Sequence, residues 1–416
     1  MNSLALQAPI ARALSRWGFV AGMRGSMIFC RFLLILFISR YLDLATLGLF
    51  GLASGFVAMA PAVTGLGMVH VIMRDAVTMA PVRLTDALRH YWTYTIGLYA
   101  VVLAISGLAA AAIGAPIWVV VVAIALFEQL GNDIFQLLSN LERPLLANFT
   151  GFLRGAAWIL VYLPLALGFP ALRSLDSLLL FWLIGAATSV AVFAVATRTW
   201  PWIDAFRLPF RLSWLKSLMR SSLVIYASDL SYIASQYIDR YLVTLFLGLE
   251  LTGVYMLYWT AANAIYTFVS MTVLQQQRPI LIKAHHQGDA AHREQCIRLV
   301  RAAAIMAVAV GLAVTIGFEI VLPLLRQPLA SLNIVAFWLI VAGIVARCIA
   351  DWGAMALFSA RRDRVMTATN LVAIALLSFF QVVLLPLAGL AGAGIALLLT
   401  FGAIAGWRYK LVFLRQ

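Results

Sequence analysis

Residues 237–266 read YIDRYLVTLFLGLELTGVYMLYWTAANAIY, and the rest of the chain is interpreted outward from this stretch. Two apolar segments are joined by a short turn that contains Gly248, which predicts a helix end, a tight turn and a second helix. Asp239 and Arg240 stand side by side in the first segment, near the predicted boundary of a membrane interior. Charges are costly in lipid. The pair is therefore interpreted either as an interfacial pair marking the outer rim or as a gate that breaks when two halves of the molecule rock apart.

The composition of the whole chain predicts a membrane protein. Of the 416 residues, 64% are hydrophobic and 11% are charged, and the mean hydropathy is +0.97. A spanning helix needs about 20 mostly apolar residues, and no sizeable soluble domain fits between the apolar runs. The sequence thus predicts an all-α polytopic fold with about 12 transmembrane helices, at residues 17–40, 46–71, 90–113, 116–138, 147–169, 177–199, 219–246, 251–275, 297–322, 331–358, 366–387 and 391–412.

The distribution of basic residues predicts the orientation of these helices. Most of the 30 Lys and Arg residues lie in the segments on one side, whereas Arg40, Arg173 and Arg326 lie on the other. This positive-inside bias predicts that both termini are cytoplasmic. The first apolar run is expected to be retained, because it carries Arg24 and Arg31 and no small-residue cleavage site follows a short apolar core. The net charge of +14 is thereby attributed to topology and to contact with anionic membrane lipids, not to nucleic acid. The three Cys residues lack metal-type spacing, so no metal site is expected.

A short internal repeat divides the chain into two halves. LATLGLFGLA at 44–53 and LELTGVYMLY at 249–258 align Gly48 with Gly253, and each copy follows an RYL tripeptide that ends a helix. Both halves then begin from the cytoplasm, so the repeat is parallel, with a cleft between the halves. The predicted domains are an N-terminal six-helix bundle at 1–200, a C-terminal six-helix bundle at 219–416, and a linker at 201–218. Its basic and aromatic residues predict a helix on the inner leaflet.

These motifs resemble a known family. An apolar helix, R-x-L, a short turn, G-[LV]-[FY] and a second apolar helix occur at 40–58, followed by GLGMVHVIMRDA at 65–76. This order is similar to the start of polysaccharide transporters of the multidrug/oligosaccharidyl-lipid/polysaccharide (MOP) superfamily, and 237–266 resembles the start of their second half. The resemblance implies a flippase that moves undecaprenyl-diphosphate-linked oligosaccharide to the outer leaflet of the bacterial inner membrane, for O-antigen or exopolysaccharide assembly. It also implies polysaccharide polymerase machinery as a partner.

Arginines inside the predicted spans are the candidate contacts for the diphosphate. Arg24 and Arg31 are seven residues apart, which places them on one helix face about 10 Å apart along the axis. Arg154 follows in the motif GFLRG, whose glycines would allow another helix to approach closely. Arginine supplies a permanent charge and a planar fork of donors suited to phosphate. The alternative is that Arg24 reaches the interface while Arg31 or Arg154 pairs with Glu128 or Asp133.

Acidic residues and amides complete the predicted site. Asp229, Gln236 and Arg240 share one helix face, and by resemblance Asp229 is the candidate for coupling to H+ or Na+, the alternative being a satisfied bond between helices. Asn132, Gln136 and Asn263 would line a cavity for sugar hydroxyls. Tyr255 and Tyr258 fit an aromatic belt better.

One pair of ionised residues is given a structural role. Arg347 and Asp351 are i,i+4 neighbours, and this spacing predicts that they pair with each other.

Other functions remain open at this stage. The drug-exporting branch of the superfamily also has twelve helices, so a drug or cation antiporter is the first alternative. A membrane-embedded glycan polymerase or ligase is a further one, although the short outer loops argue against it. A scaffold without transport would need every buried charge to be paired. No Walker-type phosphate loop occurs, and neither enzymatic activity nor a resident cofactor is expected.

Overall fold

The computed structural model describes residues 22–23, 25–114 and 116–413. These residues are helical or in short turns, and no strand occurs among them. They form two compact units. The first unit contains the described residues up to Leu34 together with Phe56–Leu230, and the second contains Ile35–Gly55 together with the described part of Ser231–Gln416. The predicted domain limits at residues 200 and 218 remain a prediction about two helix bundles, since the compact units are divided at other positions.

Most of the first unit consists of consecutive helices. Helices α1, α2 and α10 each contribute residues to both units. Pro81 and Pro144 occupy the first positions of α4 and α6, where the missing N–H is not needed. The helices are α1 (25–41), α2 (Leu44–Gly65), α3 (Met68–Asp75), α4 (Pro81–Ile113), α5 (Ile117–Asn140), α6 (Pro144–Phe152), α7 (Trp158–Gly168), α8 (Leu175–Ala196), α9 (Trp202–Arg207) and α10 (Leu212–Leu247).

The second unit continues with six more helices. Gly248 separates α10 from α11 with a φ of 83°, a left-handed conformation that glycine adopts readily. The last helix contains a break at Gly389, whose φ is 56° and ψ is −140°. The helices are α11 (Leu249–Val269), α12 (Gln275–Gln287), α13 (Asp289–Leu325), α14 (Pro328–Leu332), α15 (Ile334–Ser359) and α16 (Asp363–Phe413).

The predicted fold class is confirmed by these helices. Each predicted run is helical over most of its described residues, and the last two runs are the two arms of α16 on either side of Gly389. Eight described helices are long and apolar enough to cross a membrane. The second run is shorter than predicted, because Leu66 and Gly67 both have positive φ and end α2 before α3 begins. A Cβ on Gly67 would lie 2.9 Å from the backbone nitrogen of Tyr226.

The two copies of the internal repeat pack against each other in the second unit. A Cβ on Gly48 would lie 2.3 Å from the carbonyl oxygen of Leu249. The reciprocal contact is tighter, since a Cβ on Gly253 would lie 1.9 Å from the carbonyl oxygen of Leu44. The first turns of α2 and α11 therefore touch through the glycines that align in the sequence. Such reciprocal contacts agree with a two-fold relation between the copies.

The linker is not a single helix lying on the inner leaflet. Only Trp202–Arg207 is helical before α10 begins at Leu212. Its aromatic residues divide into two groups. Trp202 and Trp214 pack against a buried apolar cluster of the first unit, whereas Phe206 and Phe210 are exposed. Hydrogen bonds of the linker to α4 fix its backbone on the first unit.

These hydrogen bonds are made by Asp86 and by Arg89 and His90, which lie one turn after it on α4. Arg211 Nη2 donates to Oδ2 of Asp86 at 2.8 Å, and its backbone nitrogen donates to Nε2 of His90 at 2.8 Å. Arg89 donates to Oδ1 of Asp86 at 2.8 Å and to the carbonyl oxygen of Leu208 at 2.9 Å. The side chain of Asp86 is almost fully buried, and it joins the start of α4 to the linker.

Candidate functional site

Arg154 is paired inside the first unit. It lies in a π-helical turn, Leu153–Ala157, between α6 and α7, and such turns are frequent at functional sites. Its Nη1 lies 3.1 Å from Oε2 of Glu128 and donates to the Glu128 carbonyl oxygen at 2.7 Å. Trp182 donates from Nε1 to the other carboxylate oxygen, Oε1, at 2.7 Å. The structure therefore contains the pairing that the alternative interpretation predicts for Arg154, and Glu128 balances the charge of this arginine.

Glycines allow this arrangement. A Cβ on Gly131 of α5 would lie 2.8 Å from Cδ of Arg154, so the arginine passes over a position without a side chain. In the GFLRG motif, a Cβ on Gly155 would lie 2.5 Å from Cε of Met27 in α1, whereas Gly151 makes only ordinary contacts. The predicted close helix approach therefore occurs at Gly155.

Arg31, the second predicted cation, has a different environment from that of Arg154. It lies on α1 and is exposed, and it forms no ion pair with any residue in the described ranges. Its predicted neighbour on the same helix face, Arg24, lies outside the described residues. A side chain that is called exposed lies on the surface of the protein itself, and lipid or a substrate would cover part of that surface. Arg31 is therefore a cation that a substrate can reach without breaking an ion pair to any described residue.

Asp229 forms a contact that the sequence did not predict. Its Oδ2 lies 2.8 Å from Nε2 of His70, and the two side chains are 37% and 41% exposed. The contact becomes an ion pair when His70 is protonated. His70 lies on α3, which begins beside α10 because Gly67 lets the two backbones approach. Sequence analysis missed His70, although it lies within the GLGMVHVIMRDA motif.

The predicted polar face of α10 is divided between the two units. Asp229 belongs to the first unit, whereas Gln236 and Arg240 belong to the second. The shared helix face is therefore correct as local geometry, but its members contact different parts of the structure. Asp229 is accordingly considered with His70 and not with Arg240.

Asp239 and Arg240 are buried inside the second unit, with 2% and 1% relative exposure. Asp239 accepts hydrogen bonds from the backbone nitrogen of Arg240 at 2.8 Å and from the hydroxyl of Tyr255. Arg240 donates to the carbonyl oxygen of Gly51 at 3.3 Å, and its guanidinium lies 5.0 Å from the ring centre of Trp259. The interpretation as an interfacial pair marking the outer rim and the interpretation as a gate both stay predictions. The assignment of Tyr255 and Tyr258 to an aromatic belt is wrong, since both side chains are fully buried.

The three candidate amides have similar environments. Asn132 and Gln136 are half-buried on α5, and Asn263 is half-buried on α11. Their side chains have no hydrogen-bond partner among the residues that the structure describes, so they retain capacity for sugar hydroxyls. Gln129, one turn before Asn132, is instead buried and bonded to Thr64 and Tyr91.

Asp351 lies in a second charged cluster. Its Oδ2 accepts a hydrogen bond of 2.9 Å from the hydroxyl of Tyr266, and its Oδ1 lies 3.6 Å from Nη1 of Arg408. Arg347 lies one helical turn away, with its guanidinium 4.7 Å from the ring centre of Tyr266 and 5.3 Å from that of Phe401. The predicted pairing of Arg347 with Asp351 stays a prediction. The i,i+4 spacing did not identify Arg408, which lies near the end of α16 and is 3.6 Å from Asp351.

The fold is shared with solved transporters. No protein-family profile and no curated protein matches the sequence. A multidrug resistance MATE family transporter of the MOP superfamily, in its inward-facing conformation, is 14% identical with a TM-score of 0.72, and the match covers 94% of each chain. The outward-facing conformation of a transporter of the same description is 16% identical with a TM-score of 0.58. That match covers 97% of this chain and 95% of the other.

A third solved structure is a MOP superfamily transporter from Pyrococcus furiosus, described as having a binding pocket of reverse polarity that suggests a different function. It is 14% identical with a TM-score of 0.59, and the match covers 95% of each chain. At these identities the likeness concerns the fold alone. This protein therefore has the polytopic helical fold of the MOP superfamily transporters.

Proposed function

We propose that this protein is a flippase that moves undecaprenyl-diphosphate-linked oligosaccharide across the bacterial inner membrane by alternating access. The fold supports transport, and the resemblance of 40–76 and 237–266 to polysaccharide transporters supports this substrate. Surface polysaccharide of the O-antigen or exopolysaccharide class would be the product of the pathway, with polymerase machinery acting after the flippase. The observation that carries the proposal is the exposed Arg31 on the apolar helix α1.

The chemistry of Arg31 suits a diphosphate. An arginine within an apolar span costs about 2.5–3.5 kcal/mol on insertion scales, and Arg31 has no ion-pair partner among the described residues that would offset this cost. A diphosphate that leaves water must replace its hydration, and a guanidinium does so with charge-assisted hydrogen bonds. Arg154 is held by Glu128 and would contribute less. The half-buried amides of Asn132, Gln136 and Asn263 would bind sugar hydroxyls.

The first test replaces Arg31. In a strain that lacks its own oligosaccharide-lipid flippase, we expect Arg31→Ala to reduce surface polysaccharide roughly tenfold, because one charge-assisted hydrogen bond contributes about 1.5–3 kcal/mol. Arg31→Lys is expected to retain part of the function, since it keeps the charge but loses the planar fork. Surface polysaccharide is measured at matched expression of wild type and variants.

The control for this experiment is Arg364→Ala. Arg364 is also exposed but lies in the first turn of α16, in a predicted cytoplasmic segment, and its replacement should leave polysaccharide at the wild-type level. Full function of both Arg31 variants would contradict the proposed role of this side chain. Failure of the wild type to complement strains with several different sugars would contradict the substrate class.

A drug or cation antiporter is the second candidate function. The half-exposed Asp229 carboxylate favours it, because an anion accessible within a transporter attracts a cation. Two of the solved structures with this fold are also described as multidrug resistance transporters. Export of a cationic dye from cells, with no effect on polysaccharide, would favour this candidate over the flippase.

Under either function, we propose that Asp229 and His70 couple transport to H+ or Na+. Asp229→Asn is expected to abolish stimulation of transport by an imposed cation gradient, since the neutral amide cannot exchange a proton or hold a charge-balancing ion. The measurement is substrate movement in vesicles with and without each gradient. Asp204→Asn, on the exposed side of α9, is the matched control. Unchanged stimulation in Asp229→Asn would reject the assignment.

A further inference from the structure

The second unit contains a cavity of about 250 Å³. Side chains of α10, α11, α15 and both arms of α16 line it. Three lining residues have charged side chains, namely Arg347, Asp351 and Arg408. Ser270 contributes a hydroxyl group to the lining, and Asn370 contributes an amide group. Since drug-sized ligands occupy about 300–1,000 Å³, this cavity suits a head group or a part of one.

We infer that this cavity binds an oxyanion, the phosphate or diphosphate of a hydroxyl-bearing head group. The inference rests on the proposed function for the origin of the diphosphate, and it adds a second anion site, in a different unit from Arg31. Two guanidinium groups and one carboxylate give the lining a net charge of +1. The net charge of the lining therefore favours binding of an anion over binding of a cation.

The contacts of Asp351 favour an anion over a cation. One carboxylate oxygen accepts from Tyr266 and the other faces Arg408, so both oxygens already have partners. Arg408 is held in place by hydrogen bonds to Thr369 at 3.0 Å, to the carbonyl oxygen of Ala350 at 2.9 Å and to Asn370. Its charge is thereby fixed at the cavity without adjustment when a ligand arrives, which lowers the cost of binding.

Arg347 is positioned by aromatic rings. Tyr266 and Phe401 lie within cation–π distance of its guanidinium. The donors of a guanidinium lie along the edge of its plane, which is the direction used for oxyanions. Arg347 lies 12 residues before Ser359, the last residue of α15, so it is about 18 Å along the helix from that end. This depth is close to the middle of a bilayer core of about 30 Å, where transporters of other folds also bind substrates.

The test measures binding of inorganic diphosphate to the purified full chain by titration calorimetry. We expect Asp351→Asn to tighten binding about tenfold, because it removes a negative charge from the lining while its amide oxygen can still accept from Tyr266. Arg347→Gln is expected to weaken binding about tenfold or more, because a charge-assisted donor is lost. Arg301→Gln, exposed on α13 and away from the cavity, should bind as the wild type does.

The outcomes separate this inference from the proposed function. Equal diphosphate affinity in Asp351→Asn, Arg347→Gln and wild type would overturn it, as would an absence of binding by all of them. Binding of tetraphenylphosphonium that is lost in Asp351→Asn would also overturn it, and would assign the cavity to cations. Unfolding midpoints of each variant identify loss of folding, and Asp351→Asn predicts a gain that misfolding does not produce. The Arg31 variants test the flippase independently, because Arg31 does not line this cavity.

Discussion

Gly253→Ala is expected to destabilise the protein by about 3 kcal/mol or more, at the upper end of overpacking effects. The added methyl group would lie 1.9 Å from the backbone oxygen of Leu44, and a backbone atom cannot rotate away as the end of a side chain can. The first turns of α2 and α11 would have to separate. The measurement is the unfolding midpoint of purified protein at one fixed heating rate, since unfolding of membrane proteins is often irreversible.

Two further variants make this result specific. Gly402→Ala, on the second arm of α16, places a methyl group where no atom lies within 4 Å, so it should change the midpoint little. Gly48→Ala, at the reciprocal contact, should be destabilising. The double variant Gly48→Ala/Gly253→Ala should be destabilised by less than the sum of the two single variants, because one separation of α2 from α11 relieves both steric clashes. A wild-type midpoint in Gly253→Ala would contradict this close approach.

Asp86→Ala is expected to have a comparable effect, about 3–5 kcal/mol, because it leaves a buried arginine without its partner. Arg89 is almost fully buried and directs Nη2 to Asp86, and Arg211 is held by the same carboxylate. Loss of Asp86 should therefore also release the linker. Trypsin is expected to cleave after Arg207 or Arg211 several times faster in Asp86→Ala than in wild type, which gel analysis of the fragments would show.

The comparison for this variant is Asp204→Ala. Asp204 forms an exposed ion pair with Arg207 at 3.8 Å, and exposed pairs contribute about 0–1 kcal/mol. Its removal should change neither the unfolding midpoint nor the rate of cleavage. If Asp86→Ala is cleaved no faster than Asp204→Ala, the linker is held by its aromatic residues and not by the charge cluster.

Local features of the sequence were sufficient for much of the architecture. Apolar runs of membrane-spanning length identify helices because a segment in lipid must satisfy its backbone internally. Positive φ at Gly248 and the break at Gly389 fall between predicted runs, since glycine ends helices there. The sequence aligned Gly48 with Gly253 as a repeat, and the structure adds that both positions need a residue without a side chain.

The candidate site was predicted less completely. Arg31 is exposed and its contact with a diphosphate stays a prediction, whereas Arg154 is paired with Glu128. Asp239 and Arg240 were placed near a boundary by counting residues, yet they are buried. Counting residues gives the depth of a side chain along its own helix, but it does not show which neighbouring helix covers that side chain. For the same reason His70 and Arg408 were not recognised as the partners of Asp229 and Asp351.

The sequence by itself determined which segments are helices, where glycines allow turns, and which side chains carry charge within them, because hydrophobicity and backbone freedom are local properties. Only the tertiary structure decided which charges are neutralised and which remain accessible. Partners such as His70 for Asp229 and Arg408 for Asp351 come from distant positions in the chain. Pairing energies depend on distances and burial in three dimensions, and no spacing along the sequence specifies either quantity.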